Sequence, residues 1–378
     1  MSAKHIPTLS VFPVGLVRRF WGWQVLVAAA WLFFTVWLQQ SQAVLPGLAG
    51  ALISGALLVW QARMLLRFLP ENRANGQVKV NDGLGVANWM TIGRGALVAF
   101  LAGFLFLSDL KGISAWVPAL LYLAAALLDY ADGAVARLTH SMTRMGELLD
   151  MELDGLGILT ASLLVVVNGQ APLLFVMVGM ARYLYLWGIR IRERQGLPVF
   201  DLPPNPLRRG LAGLQMGLLA TLLFPVFTPP ATHIASYLLM TPFLFSFMLD
   251  YLAVTGKRVN INLRQPIFTW LAWIWRLGLL GLVGMLLYLQ PIIPVHAWLV
   301  VVLSALCIFG LAGRLAAFGL MLTAGFWLRA VSMDVWGWLV LVFGILIFVN
   351  GTGRFSLWRP EDWIVYNRLG EVKLARQD

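Results

Sequence analysis

The stretch Leu128–Gly155, LDYADGAVARLTHSMTRMGELLDMELDG, decides how the rest of the chain is read. It stands between two strongly apolar runs, yet it contains Asp129, Asp132, Glu147, Asp150, Glu152 and Asp154. A carboxylate at bilayer depth costs about 2.5–3.5 kcal/mol on insertion scales, a penalty that folding alone gives no reason to incur. A bound cation and a polar cavity are the natural compensation, and the spacing supports both. On a helix, Asp129, Asp132, Gly133, Ala136 and Arg137 share one face, as do Gly146, Asp150 and Asp154. The intervening LTHSMTRM is long enough for a helix end and a tight return. Two antiparallel helices can therefore bring four aspartates together at the membrane surface. Hard oxygen ligands of this kind suit Mg²⁺ or Mn²⁺, whereas zinc prefers histidine and cysteine. Gly133, Ala136 and Gly146 lack bulk on the same faces and leave room for a substrate group.

Working outward, 60% of the 378 residues are hydrophobic and only 12% charged. That composition excludes a soluble globular protein. Apolar runs of about 18–22 residues recur along the chain and predict an all-α polytopic integral membrane protein with about twelve transmembrane helices. The expected spans are Val25–Leu38, a second ending near Trp60, Asn88–Leu107, Ala115–Asp129, Gly146–Val167, Pro172–Ile189, Leu211–Phe227 and Ile234–Val254. Four more are expected at Ile267–Leu289, Val295–Leu311, Leu315–Leu328 and Trp336–Val349.

The formal charge of +11 is read as loop charge meeting lipid headgroups and phosphorylated substrates, not as a nucleic-acid footprint. With both termini cytoplasmic, Lys111 and Arg329 are the basic residues left in outside loops, as the positive-inside rule favours. Arg18 and Arg19 precede the first span, which reads as a retained anchor rather than a cleaved signal. The basic connection from Arg63 to about Val86 is expected along the cytoplasmic surface. Cys307 is a small packing residue in an apolar run. Breaks in the pattern divide the chain into an N-terminal two-span segment (1–70), a six-span core (71–260) and a four-span C-terminal module (261–378).

The pattern Asp129-x-x-Asp132-Gly133-x-x-Ala136-Arg137-x₈-Gly146-x₃-Asp150-x₃-Asp154 resembles the signature of the CDP-alcohol phosphotransferases, also called CDP-alcohol phosphatidyltransferases. Asn88-x-x-Thr91-x-x-Arg94, one span earlier, resembles that family's opening helix, with Ala87 where a proline is usual. The resemblance covers about Asn88 to Val254. It implies a six-helix catalytic core, a homodimer, and attack of a hydroxyl on a CDP-activated alcohol, typically CDP-diacylglycerol, with release of CMP. By the resemblance, Asp129, Asp132 and Asp150 would ligate the metal ions, with Asp154 the general base and sharing in a second metal. Gly133, Ala136 and Gly146 would make room for the nucleotide, and Asn88, Arg94, Asp129 and Arg137 would hold it. The bland readings are an ion pair for Asp129 and Arg137, a snorkelling role for Arg94 and a polar loop residue for His140.

For the acceptor, Arg144, Arg182 and Arg190 suggest a pocket for an anionic group, since the guanidinium fork suits phosphate. Glycerol 3-phosphate or an inositol phosphate would fit it; plain cytoplasmic flanking charge, with a neutral acceptor, is the alternative. A reading from another class is a divalent-cation transporter, but a fixed Arg137 beside a cation path is counterproductive. The C-terminal four-helix layout and its GTGRFSL ending resemble DoxX-like membrane modules, and the reading adopted is a scaffold or dimerisation module. The whole is read as an enzyme of phospholipid biosynthesis in a prokaryotic plasma membrane, active at the cytoplasmic face.

Overall fold

A computed structural model describes residues 12–41, 44–74, 77, 79–107, 110–139, 141–202, 206–256, 267–289, 295–330, 335–350 and 356–358. Within them the chain forms α-helices in the expected order: α1 (Val14–Ser41), α2 (Val44–Phe68), α3 (Val86–Ala102), α4 (Val117–Leu138), α5 (Arg144–Val167) and α6 (Val176–Arg194). After these come α7 (Pro206–Leu223), α8 (Ala231–Val254), α9 (Ile267–Leu289), α10 (Val295–Phe309), α11 (Gly313–Ala330) and α12 (Val335–Asn350). No strand occurs among the described residues, only a single bridge between Leu311 and Trp358. Six of the helical segments are long and apolar enough to cross a membrane, namely those of α1, α2, α3, α4, α6 and α8. Six such spans make this an integral membrane protein. Charge keeps α5 from meeting that standard, since it carries Glu147, Asp150, Glu152 and Asp154 in its first three turns.

In the N-terminal half α3 is central, in contact with α1, α2, α4 and α5. Most of its 17 residues are buried, small ones such as Ala87, Gly95, Ala96 and Ala99 alternating with polar Asn88, Thr91 and Arg94, while Ile92 packs against α2 and α5. At Gly95 both α2 and α5 crowd α3: a Cβ there would lie 2.6 Å from Gln61 Nε2 and 2.9 Å from Leu153 Cδ2. Gln61, itself 3% exposed, donates to the carbonyl of Ile92 at 2.7 Å, so a polar group on α2 is satisfied against α3 inside the bundle. By contrast α1 presents Val25, Leu26, Leu32, Phe33 and Val36 outward, as a helix in contact with lipid should. Its inner side still meets α3 through Phe34, edge-on to Phe100 and tilted against Phe104 just past the end of α3.

The span expected from about Ala115 and running on into the motif is one unbroken helix through Leu138, and only a few residues return to α5. The connection after α2 does not simply lie on the surface. It makes a short 3-10 turn at Leu69–Glu71 and then turns Asn72, fully buried, into the bundle. In the C-terminal half, α9 to α12 pack on one another, with Arg314 donating to the carbonyl of Phe348 at 2.7 Å and Arg276 to Ser356 Oγ at 2.7 Å. His140, Lys257, Arg258, Arg264, the first residues of the chain and most of GTGRFSL lie outside the described residues.

Candidate active site

The site is assembled where the C-terminal turns of α4 face the N-terminal turns of α5, with α3 behind both. Thr143 caps α5, its hydroxyl accepting from the Gly146 N–H at 3.1 Å. The same hydroxyl donates to Asn88 Oδ1 at 3.0 Å, and Asn88 Nδ2 donates to Asn72 Oδ1 at 3.2 Å. Asn72 Nδ2 in turn reaches the carbonyl of Gly83 at 3.1 Å. This buried relay ties the starts of α3 and α5 to the preceding loop and fixes their register. Gly146 is needed for it: a Cβ there would stand 2.7 Å from Asn88 Oδ1. Asn88, expected to touch nucleotide, is 2% exposed and bonded on both sides of its amide within the protein.

Asp129, Asp132 and Asp150 each offer a carboxylate oxygen, all within 4.8 Å of one another. Asp132 is buried and accepts from Thr91 Oγ1 at 2.7 Å, which orients it, while Asp129 and Asp150 remain partly open. Three oxygens at that separation fit one hard divalent cation, whose ligands lie about 2.0–2.6 Å from it. Asp154, one turn beyond Asp150, falls outside this triad of ligand atoms.

Arg94 stands in the middle. Its guanidinium, 4% exposed, pairs with Asp129 Oδ1, with Asp150 Oδ1 at 2.8 Å and with Asp154 Oδ1 at 3.0 Å. One rigid planar cation thus bridges α4 and α5 from α3, a geometry that a lysine could not reproduce. On α4, Arg137 folds back so that a Cβ at Gly133 would meet its Nη1 at 3.1 Å. Gly133, Ala136 and Arg137 are all partly exposed.

The three expected acceptor arginines are placed differently. Arg182 lies against α5, where a Cβ on Gly155 would meet its Cδ at 2.9 Å and Tyr183 Oη at 3.3 Å. It is thereby held beside Asp154. Arg144 is exposed at the start of α5 and pairs with Glu147 at 3.1 Å. Arg190 is exposed, about two turns further along α6. Residues that sequence reasoning missed are Asn72, Thr143 and the orienting role of Thr91. Thr143 carried a legible signal, a Thr just ahead of a helix start; Asn72 carried none.

No curated protein and no solved structure matches the chain. A family model does match, over somewhat less than half of its length. The matched segment runs from just before α3 to near the end of α8 and so contains Asn88, Thr143, the triad, Arg94 and Asp154, while Asn72 precedes it. Residues 84–248 match the family of the CDP-alcohol phosphatidyltransferases, membrane enzymes that transfer a phosphatidyl group from a CDP-alcohol.

Proposed function

We propose that the chain transfers the phosphatidyl group of CDP-diacylglycerol to a phosphorylated polyol, glycerol 3-phosphate or an inositol phosphate, and releases CMP. The observation that carries this reading is the triad of Asp129, Asp132 and Asp150 oxygens within 4.8 Å, with Asp154 one helical turn beyond. A divalent cation, Mg²⁺ or Mn²⁺, bound there supplies charge neutralisation to the diphosphate and aligns it for attack. The chain's own groups do the rest. Asp154 takes the proton of the acceptor hydroxyl as it attacks the β-phosphorus, and CMP leaves with the electrons of the broken P–O bond. Gly133 and Ala136 leave space for the cytidine, and Arg137 lies over that space to meet nucleotide oxygens. A cation pathway is the poorer reading, because Arg94 fills the middle of the carboxylates with a fixed positive charge.

Around this core the proposal keeps twelve spans, both termini and the site at the cytoplasmic face of a plasma membrane, and a homodimer. The division at about residues 70 and 260 is kept as well, with α1 and α2 forming a wall of the core and α9 to α12 a separate scaffold. The direct test is to incubate the purified protein with CDP-diacylglycerol, Mg²⁺ and a panel of phosphorylated and neutral acceptors and to score CMP release. No release with any acceptor overturns the reading.

A chain ending near Asn262 should retain CMP release in detergent, because the triad, Arg94 and Asp154 all lie on α3 to α5. A folded but inactive truncation would show that the C-terminal helices complete the site. Arg182 is the best-placed acceptor group, held beside Asp154 by Gly155. A charge-assisted bond to phosphate contributes about 1.5–3 kcal/mol, so Arg182→Gln should raise the KM for glycerol 3-phosphate by about tenfold or more. Donor affinity should stay nearly unchanged. Equal use of free inositol or serine by the wild type would remove the phosphate pocket.

A further inference from the structure

Two helical turns deeper along α4 than Asp129, on the same face, stands Tyr122. Its side chain is 2% exposed, and its hydroxyl has no hydrogen-bond partner among the described residues. A buried phenol left unbonded forfeits about 1–3 kcal/mol, so its position asks for a reason. Tyr122 lines a small cavity together with Arg94 and Asp154, whose remaining walls include Val98, Ala125 and Met216. The charges that act on the phenol are those of Asp154 and Arg94. Asp154 Oδ1 is buried as well, 3.0 Å from Arg94 Nη1 in their ion pair. A carboxylate oxygen can accept more than one bond, so an unbonded donor and an acceptor with spare capacity line one small cavity.

We propose that Tyr122 is the positioning residue of Asp154, its hydroxyl donating across this cavity, directly or through one water, to Asp154 Oδ1. The bond would leave the second oxygen, Oδ2, facing the open side of the site. A carboxylate fixed by its inner oxygen presents the outer one to the acceptor hydroxyl in a single orientation, which is worth rate rather than affinity. The inference rests on Asp154 being the base proposed above. Nothing in the acidic stripe itself contains it, since tyrosine lies outside the spacing of the aspartates.

The test uses the full-length protein with CDP-diacylglycerol, Mn²⁺ and the best acceptor of the panel. Tyr122→Phe keeps the ring and removes only the hydroxyl. It should lower kcat by about tenfold while the KM for donor, the Mn²⁺ affinity and the melting temperature stay close to wild type. A packing role would move melting temperature and leave kcat. An independent readout is the vibrational spectrum of the phenol, obtained as wild type minus Tyr122→Phe. It should report a hydrogen-bond donor in the wild type and a free hydroxyl in an Asp154→Ala background. Unchanged kcat in Tyr122→Phe, or a phenol spectrum indifferent to Asp154→Ala, overturns the proposal. Turnover surviving in Asp154→Ala would instead remove Asp154 as the base, whatever the phenol reports.

Discussion

Asn in place of Asp129, Asp132 or Asp150 is expected to abolish CMP release and to weaken Mn²⁺ binding in each case. The three oxygens lie within 4.8 Å and belong to two helices, so a single amide removes both a negative charge and one of a small set of hard ligands. Partners that only orient a ligand cost about 10–100-fold when removed, and a ligand itself should cost more. The change is nearly isosteric, so the fold should survive. Mn²⁺ titration followed by electron paramagnetic resonance, alongside CMP release, checks it. Full turnover by Asp150→Asn would sink the assignment. Asp132→Asn should be the most disruptive to structure, because its buried oxygen accepts from Thr91 at 2.7 Å.

Asp154→Asn is expected to behave differently. It lies outside the triad, beside Arg182 and against Arg94, and its proposed work is on a proton rather than on the metal. Loss of a positioned base costs about 10²–10⁴-fold. The variant should therefore bind CDP-lipid and Mn²⁺ almost as the wild type does while transferring at a rate lower by that factor. Equilibrium binding of a non-reacting CDP-lipid analogue, set against single-turnover CMP release, separates the two. If Asp154→Asn loses Mn²⁺ as badly as Asp129→Asn, the residue is a ligand and the base lies elsewhere.

Much of this was legible because a period of 3.6 residues turns linear spacing into a face, and Asp129, Asp132, Asp150 and Asp154 keep to it without exception. The order and approximate bounds of the helices were legible for a similar reason, since apolar runs bounded by charge leave few alternatives in a membrane. What spacing cannot give is partnership across helices. Arg94 could be assigned to an interface or to a substrate, and nothing in Asn88-x-x-Thr91-x-x-Arg94 says that its guanidinium reaches α4 and α5 together. Asn72 is the clearest case of the limit. It sits in a polar, charge-rich loop where an asparagine is unremarked, and only the folded chain shows it fully buried and bonded to Asn88. Tyr122 was hidden by the opposite disguise, an aromatic residue in an apolar run.

The bridging of three aspartates by Arg94 bears on how the bundle is assembled. Four carboxylates on two adjoining helices would repel one another as the bundle packs. A guanidinium held among three of them offsets part of that charge, so α4 and α5 can dock on α3 with their acidic turns facing one another. The same side chain thus counts in the assembly of the three helices as well as in the site.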